Sequence, residues 1–290
     1  MKIRSLILSF IVVSVLAFAA TSLSSCQTQG ENDDSTYVDP CGGKAPGGFK
    51  TALISTDQDI AMGLNSVEQI EADPTTYPIL DSATNSAAYG HIYRIRNNIL
   101  NSGKVYFKNV FPWRIRIIKD DKTLNAFCTP GGYIYVYTGI IKYLDNETQL
   151  AGVMGHEIAH ADRRHGANQM ITQYGASALI SILTSGTSTQ LAGLAANLLL
   201  LKYGRADETE ADDYSVRYLL GTEYDAQGAK YFFQKIRSAG GQQVPEFLST
   251  HPNPDNRVLN IQETWKCLGS GGNTGTFDQR YAQFKALLPQ

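Results

Sequence analysis

The chain has almost no excess of charge of one sign, because 25 lysines and arginines stand against 27 aspartates and glutamates. Nucleic-acid binding requires a basic surface that displaces counterions, so we expect no nucleic-acid partner. Charged residues make up only 18% of the 290 residues, and hydrophobic residues make up 43%. This balance excludes a disordered charged protein, a collagen and a coiled coil, and it allows a well-filled core.

Long apolar runs are rare, and the first lies at the N-terminus, where a basic start precedes an apolar stretch over residues 7–20. The stretch is shorter than the ~20 residues that cross a bilayer, so residues 1–25 are predicted to be a secretory signal peptide rather than a membrane anchor. The sequence LSSC at 23–26 resembles a bacterial lipobox. The resemblance implies cleavage before Cys26 and lipidation of Cys26, which holds a protein on a membrane without spanning it. The alternative is ordinary cleavage nearby, with Cys26 an incidental cysteine.

Residues 26–48 are polar and rich in glycine, and they are predicted to form a flexible tether. By analogy with bacterial sorting, Gln27 rather than aspartate after the lipidated cysteine indicates the outer membrane. Cysteine is scarce, and only Cys41, Cys128 and Cys267 remain after Cys26. In an oxidising compartment two of these three would be able to pair. A bond between the first and the last would join the tether to the C-terminal region, but the sequence leaves the pairing open.

The remainder, 49–290, contains no stretch that looks like a linker, so we predict one domain. Its class is α+β, mostly helical, with a small antiparallel sheet. Apolar periodicity and capping residues predict helices over residues 57–72, 82–101, 139–144, 147–174, 206–220, 226–238, 254–268 and 277–288. Strands are predicted at 113–119, 123–129 and 133–138, the last two joined by a Pro-Gly-Gly turn.

The second apolar run, 176–201, has three interpretations. It would be able to cover a site between the helices that flank it, or to touch a membrane. Gly186, Gln190 and Asn197 argue against a helix that spans the bilayer. We favour a helical hairpin packed in the core.

Histidine is also scarce, with five in the chain, yet two of them stand four residues apart in the sequence HEIAH at 156–160. On a helix His156 and His160 share one face, which suits two ligands of one metal ion. Glu157 projects about 100° around the helix, so it can reach a water beside the metal without binding the metal. Chance produces this pattern in roughly 0.3% of chains of this composition. The alternative is a pair of core histidines with ordinary partners.

A catalytic zinc site needs a third protein ligand and an open position for water. Glu208 and Asp212 lie four residues apart, and a nearby cation would relieve the repulsion between their charges. We interpret Glu208 as the third ligand and Asp212 as the acceptor of a ring N–H from a liganding histidine. Glu210 is the rival ligand, and a solvated acidic face is the alternative. His165, five residues after His160, falls off the ligand face and is expected to pack locally.

The motif at 156–160, combined with Glu-x-x-Ala-Asp at 208–212, resembles the gluzincin peptidase family that includes HtpX, BepA and LoiP. The similarity covers roughly residues 80–265 and includes a histidine-arginine segment formed by 249–252 and Arg257.

The resemblance implies a zincin-type domain that binds one zinc ion through His156, His160 and Glu208. It further implies that Glu157 is the general base and that His251 donates to the oxyanion of the intermediate, with Arg257 orienting His251. An ordinary loop histidine is the alternative for His251. Where the family has serine before Arg205, this chain has Gly204, a departure that leaves the predicted ligands unchanged.

Asn125, Ala126 and Phe127, with the turn and strand at 130–136, are similar to the family's edge strand and hairpin. An extended polypeptide can pair with such an edge as an added β-strand, which favours broad specificity because it reads mainly backbone. The alternative is an edge strand without a binding role. No sequence feature supplies Cys128 with a base, so we expect packing or a disulfide rather than a nucleophile.

These features together predict a zinc-dependent endopeptidase, lipid-anchored in the bacterial cell envelope and facing the periplasm. The resemblance implies polypeptide substrates, namely misfolded or unassembled envelope proteins. One alternative is a chaperone-like module that binds polypeptides in the same groove, against which Glu157 argues because binding needs no base. Another is a structural zinc site, which requires a fourth protein ligand that the sequence does not reveal. The oligomeric state stays open.

Overall fold

The computed structural model describes Cys41 and residues 53–238, 246–251 and 254–289. The predicted signal peptide and the predicted lipidation at Cys26 lie outside the described residues. Of the predicted tether, only Cys41 is described.

Helices dominate the described ranges, and their bounds follow the predicted ones closely, so the mostly helical α+β class is confirmed. The helices are α1 (Thr56–Glu71), α2 (Ser86–Leu100), α3 (Thr138–Tyr143), α4 (Glu147–Asp162), α5 (His165–Tyr174), α6 (Ala176–Ser185), α7 (Ser188–Leu199), α8 (Arg205–Leu220), α9 (Gly228–Ser238), α10 (Phe247–Thr250), α11 (Pro254–Cys267) and α12 (Asp278–Ala286). The short helix α10 was not predicted.

The strands are β1 (Arg114–Ile118), β2 (Ala126–Thr129) and β3 (Tyr133–Tyr137), in the spatial order β1-β3-β2. The turn between β2 and β3 places Gly131 and Gly132 at positive φ, and these two strands are antiparallel as predicted. In contrast, β1 runs parallel to β3, so the sheet is mixed rather than purely antiparallel. All five residues of β3 are buried, in agreement with its position between the other two strands. Strand β2 lies at an edge of the sheet.

The predicted helix at 147–174 is interrupted after Asp162. The last turn of α4 ends at Arg163, and Arg164 takes left-handed backbone angles before α5 begins at His165. A non-glycine residue rarely adopts this conformation. Here the buried carboxylate of Asp59, on α1, pairs with the Arg164 guanidinium and stabilises the turn.

Helix α4 lies at the centre of the core, and all of its residues are buried. It packs against α8 on one side and α9 on the other. The backbones of α4 and α9 touch at two glycines. A Cβ on Gly152 would lie 2.0 Å from the backbone nitrogen of Ala229, and a Cβ on Gly228 would lie 2.3 Å from the carbonyl oxygen of Thr148. This contact holds α4 tightly in place.

The apolar run at 176–201 forms the hairpin of α6 and α7. Leu179, Leu194 and Leu198 are buried in a separate small core that also contains Met62 of α1. Packing against α1 agrees with the favoured interpretation of this run. Within the described residues, no helix combines the length and apolar character that crossing a bilayer requires.

The open question of cysteine pairing is answered by a disulfide between Cys41 and Cys267, whose Cα atoms lie 5.5 Å apart. The bond attaches the end of α11 to a residue of the predicted tether. Cys128 on β2 is a free thiol.

Candidate metal centre

Four buried side chains converge where α4 meets α8 and the segment after α10. His156, His160, Glu208 and His251 each offer one atom, and these atoms all lie within 4.8 Å of one another. The Nε2 atoms of His156 and His160 are 3.0 Å apart. The carboxylate of Glu208 lies 3.5 Å from the first and 3.4 Å from the second. The structure thus brings together the three side chains that the sequence proposed as ligands.

The electrostatics of the cluster favour a cation. Burial would raise the pKa of Glu208, but the neighbouring histidines hold that pKa well below its usual value. The Asp212 and Glu208 carboxylates outweigh burial and Arg257 and raise the pKa of His156 to about 9. Burial and His156 lower the pKa of His160 well below its usual value. The donor set of imidazole nitrogens and a carboxylate oxygen suits a divalent metal ion, which would supply the missing positive charge.

Glu157 lies beside the cluster and has no hydrogen-bond partner among the described residues. It is fully buried, and neither carboxylate oxygen is satisfied. Its Oε1 lies 3.5 Å from Nε2 of His251, and burial raises its pKa. An unsatisfied buried carboxylate is costly and rare, so its presence indicates that a molecule from outside the fold completes the site.

Asp212 and Arg257 contact the residues of the cluster without belonging to it. Oδ1 of Asp212 lies 3.0 Å from Nδ1 of His156, as the sequence analysis expected. Arg257 was expected to orient His251 but instead donates to both oxygens of Asp212, at 2.7 and 2.6 Å, and pairs with Glu208 at 2.8 Å. The reason is charge, because two buried carboxylates are stronger partners for a guanidinium than an imidazole ring.

His251 stands closer to the other donors than the sequence suggested. Its Nδ1 lies 3.0 Å from Oε1 of Glu208 and 3.2 Å from Nε2 of His156. The ring is stacked on Phe247, with centroids 4.3 Å apart. A fourth protein donor is therefore present, and the objection that a structural site lacks one no longer holds.

Three further residues around His160 were missed or assigned differently. Tyr203 stacks on the His160 ring, with centroids 3.9 Å apart. His165 was expected to pack locally, but its Nδ1 lies 2.9 Å from Nδ1 of His160. Glu210, the rival ligand, stands outside the cluster with its carboxylate 3.1 Å from Nε2 of His165. Helical spacing alone gave no signal for these contacts, because those of His165 depend on the break at Arg164 and Tyr203 is distant from His160 in sequence.

The predicted substrate strand lies next to the cluster, since β2 packs against α4. Asn125 and Ala126 are buried, and Phe127 is half-buried and stacks on Tyr135. Burial and the nearby Glu157 carboxylate raise the pKa of the Cys128 thiol well above its usual value, so a protonated thiol borders the site. This agrees with the expectation that Cys128 is no nucleophile.

Comparison with known proteins also indicates a metal-dependent peptidase. Residues 90–265, more than half of the chain, match the model of Peptidase family M48. The "Beta-barrel assembly-enhancing protease" of Yersinia pestis is 29% identical over 253 residues, which cover 81% of this chain and 50% of that protein. The "Mitochondrial metalloendopeptidase OMA1" of Schizosaccharomyces pombe is 33% identical over 156 residues, 52% of this chain and 46% of that protein. The chain thus spans about half the length of these curated relatives.

Proposed function

Because the chain belongs to peptidase family M48, as its motifs predicted, we propose that it is a zinc-dependent endopeptidase of a bacterial cell envelope. The observation that carries the proposal is the position of Glu157, a buried carboxylate with two unsatisfied oxygens beside His156, His160 and Glu208. A carboxylate in this position can accept a proton from a water molecule bound beside it.

His156, His160 and Glu208 would hold the ion. Zinc, when bound, makes a water molecule more acidic and polarises a carbonyl group. Asp212 faces Nδ1 of His156 and leaves Nε2 of that ring directed at the other donors. The ligands are therefore oriented by the fold before any ion arrives.

Glu157 would act as the general base. An oxygen of its carboxylate accepts the proton of the attacking water and later delivers it to the nitrogen of the departing amine. Neither of its oxygens has a hydrogen-bond partner among the described residues, although Nε2 of His251 lies 3.5 Å from Oε1.

His251 would donate to the oxygen of the scissile carbonyl, as the family resemblance implies. Its ring lies beside both the proposed base and the proposed ligands, with Nε2 3.5 Å from Glu157 and Nδ1 3.0 Å from Glu208. Arg257 contributes indirectly, because it fixes Asp212 and Glu208.

Substrates would be polypeptides in extended conformation, paired with the edge strand β2 at Asn125, Ala126 and Phe127. A relative named for enhancing β-barrel assembly supports substrates among unassembled or misfolded envelope proteins. Relatives named OMA1 are mitochondrial, so the envelope location rests on the predicted lipidation at Cys26. The domain bounds of 49–290 belong to the same proposal.

One observation favours a second candidate. His251 already stands among the donors, and four protein ligands would leave no position for water. The protein would then be a chaperone-like module that binds polypeptides without cleaving them. The unsatisfied Glu157 argues against this candidate, since a closed site gives no use to a buried carboxylate.

Metal analysis of the purified chain, together with a casein cleavage assay, tests the proposal. We expect about one zinc ion per chain, loss of cleavage after chelation, and recovery when zinc is added back. Circular dichroism of the chelated sample is the control that it stays folded. Tight zinc binding without cleavage of casein would favour the binding module instead.

A further inference from the structure

The helix break after α4 brings His165 into contact with the outer side of His160. Arg164 has φ 59° and ψ 30°, and its Nη2 donates to the carbonyl oxygen of Ile54 at 2.9 Å in addition to pairing with Asp59. In a continuous helix, a residue five positions after His160 would point well away from it. Here the left-handed turn brings the two Nδ1 atoms of His160 and His165 to 2.9 Å.

A chain of contacts runs outward from this point. Nε2 of His165 lies 3.1 Å from Oε2 of Glu210, and Nε of Arg163 donates to Oε1 of Glu210 at 2.8 Å. His165 and Arg163 are buried, whereas the Glu210 side chain is 32% exposed. Both nitrogens of His165 are therefore engaged, and neither is directed at the metal cluster.

We propose that His165 is a positioning residue that sets the tautomer of His160, with Glu210 as its anchor. The inference rests on the proposed metal site and deepens it. A carboxylate only accepts hydrogen bonds, so Nε2 of His165 carries the hydrogen and donates to Glu210. In a neutral imidazole the other ring nitrogen is an acceptor, so with this tautomer of His165 the hydrogen between the two Nδ1 atoms belongs to His160. The lone pair of His160 is consequently placed on Nε2, the atom that faces His156.

Each of the two histidines of α4 would thus be oriented by a chain of hydrogen bonds, and the two chains are similar. His156 donates directly to Asp212, which is paired with Arg257. His160 donates to His165, which reaches a carboxylate paired with Arg163. Each chain of hydrogen bonds ends in a carboxylate that forms an ion pair with an arginine. The chain from His160 contains one more imidazole ring than the chain from His156. Partners of this kind fix ring orientation and raise the affinity of a site for its metal.

Zinc affinity of the purified full chain, measured by competition with a chromophoric chelator, tests the inference. His165→Ala removes the acceptor, so we expect the Kd for zinc to rise about 10- to 100-fold. His165→Asn should recover most of this loss, because its Oδ1 can accept the same hydrogen bond. Gln169→Ala is the matched control, since Gln169 lies on α5 and contacts Asp207 of α8 at 3.2 Å. This control should change the Kd less than about twofold.

A second measurement uses the unaltered protein and so does not depend on a variant folding. Nitrogen-15 NMR of the zinc-loaded chain should show hydrogen on Nδ1 of His160 and on Nε2 of His165. The opposite tautomers would overturn the inference, as would a Kd for His165→Ala equal to that of the wild type, or no improvement with His165→Asn. If the wild type binds zinc but cleaves nothing, the proposed function fails while the tautomer result stands. If the wild type binds no zinc, both fail.

Discussion

The two ends of α4 each bury a glutamate completely, and the fold treats the two residues in opposite ways. Glu147, in the first turn, accepts hydrogen bonds from Arg94 at 2.7 Å, Arg280 at 2.6 Å and the Tyr224 hydroxyl at 2.7 Å. Glu157, near the other end, has no hydrogen-bond partner among the described residues. Both are 0% exposed, so burial alone does not distinguish them.

The difference separates a structural carboxylate from one reserved for chemistry. At Glu147 the charge is met by side chains from α2 and α12, so the group ties three parts of the chain together. At Glu157 the nearby Cys128 thiol and His251 Nε2 at 3.5 Å leave both oxygens unsatisfied. Asp162, another buried carboxylate, accepts from two backbone amides and Tyr218. Among the buried side chains that the structure describes, Glu157 is the carboxylate with both oxygens unsatisfied, which indicates that it is kept for a molecule from outside.

Glu157→Gln should have the largest effect, and it acts on catalysis alone. The variant keeps the shape of the side chain but cannot accept the proton of water, so we expect casein cleavage to fall about 10²- to 10⁴-fold. Zinc content and the free energy of unfolding should not decrease, because no ligand and no hydrogen bond within the fold is lost. Cleavage at the wild-type rate would show that Glu157 is not the base.

Glu147→Gln should have a smaller effect, on stability alone. The amide leaves Arg94 without its charged partner and leaves Arg280 with Glu223 alone, and both arginines are only about a third exposed. We expect the free energy of unfolding in urea to fall by about 2 kcal/mol, less than for a fully buried pair because water reaches both guanidinium groups. Glu223→Gln is the control, since it removes the more exposed partner of Arg280. A loss no greater than that of the control would remove the contrast between the two ends of α4.

Asn146→Ala should have the smallest effect. The Asn146 side chain caps α4 by accepting from the backbone nitrogen of Gln149 at 3.0 Å. Loss of such a cap costs about 1 kcal/mol of unfolding free energy, which a urea titration can resolve. Zinc affinity should stay unchanged, because the cap lies at the structural end of the helix. A large drop in zinc affinity would mean that the two ends are coupled.

The part of the site that the sequence predicted is the part with local spacing. His156, Glu157 and His160 share one helix, and Glu208 and Asp212 share another, so helical periodicity places them without knowledge of the fold. That these two helices meet came from the family resemblance and from the need for a third ligand. The core and the helix bounds followed from apolar periodicity for the same local reason.

The part that escaped prediction depends on contacts between distant residues. The left-handed turn at Arg164 is stabilised by Asp59 and Ile54, more than 100 positions earlier, and no local pattern marks it. His251 joins the donors because the segment that carries it packs on Phe247. The order of the sheet was missed because β1 pairs with β3, which is not its neighbour in sequence.

The disulfide between Cys41 and Cys267 affects how far the folded domain can lie from a membrane to which Cys26 is attached. If Cys26 carries the lipid, 15 residues lead from it to Cys41, and a chain of that length spans at most about 50 Å when fully extended. Ile54 is the next buried residue that the structure describes, and the 28 residues that lead to it from Cys26 span at most about 95 Å when fully extended. The oxidation state of one pair of sulfur atoms would therefore decide how far from the bilayer surface a polypeptide can be and still be reached.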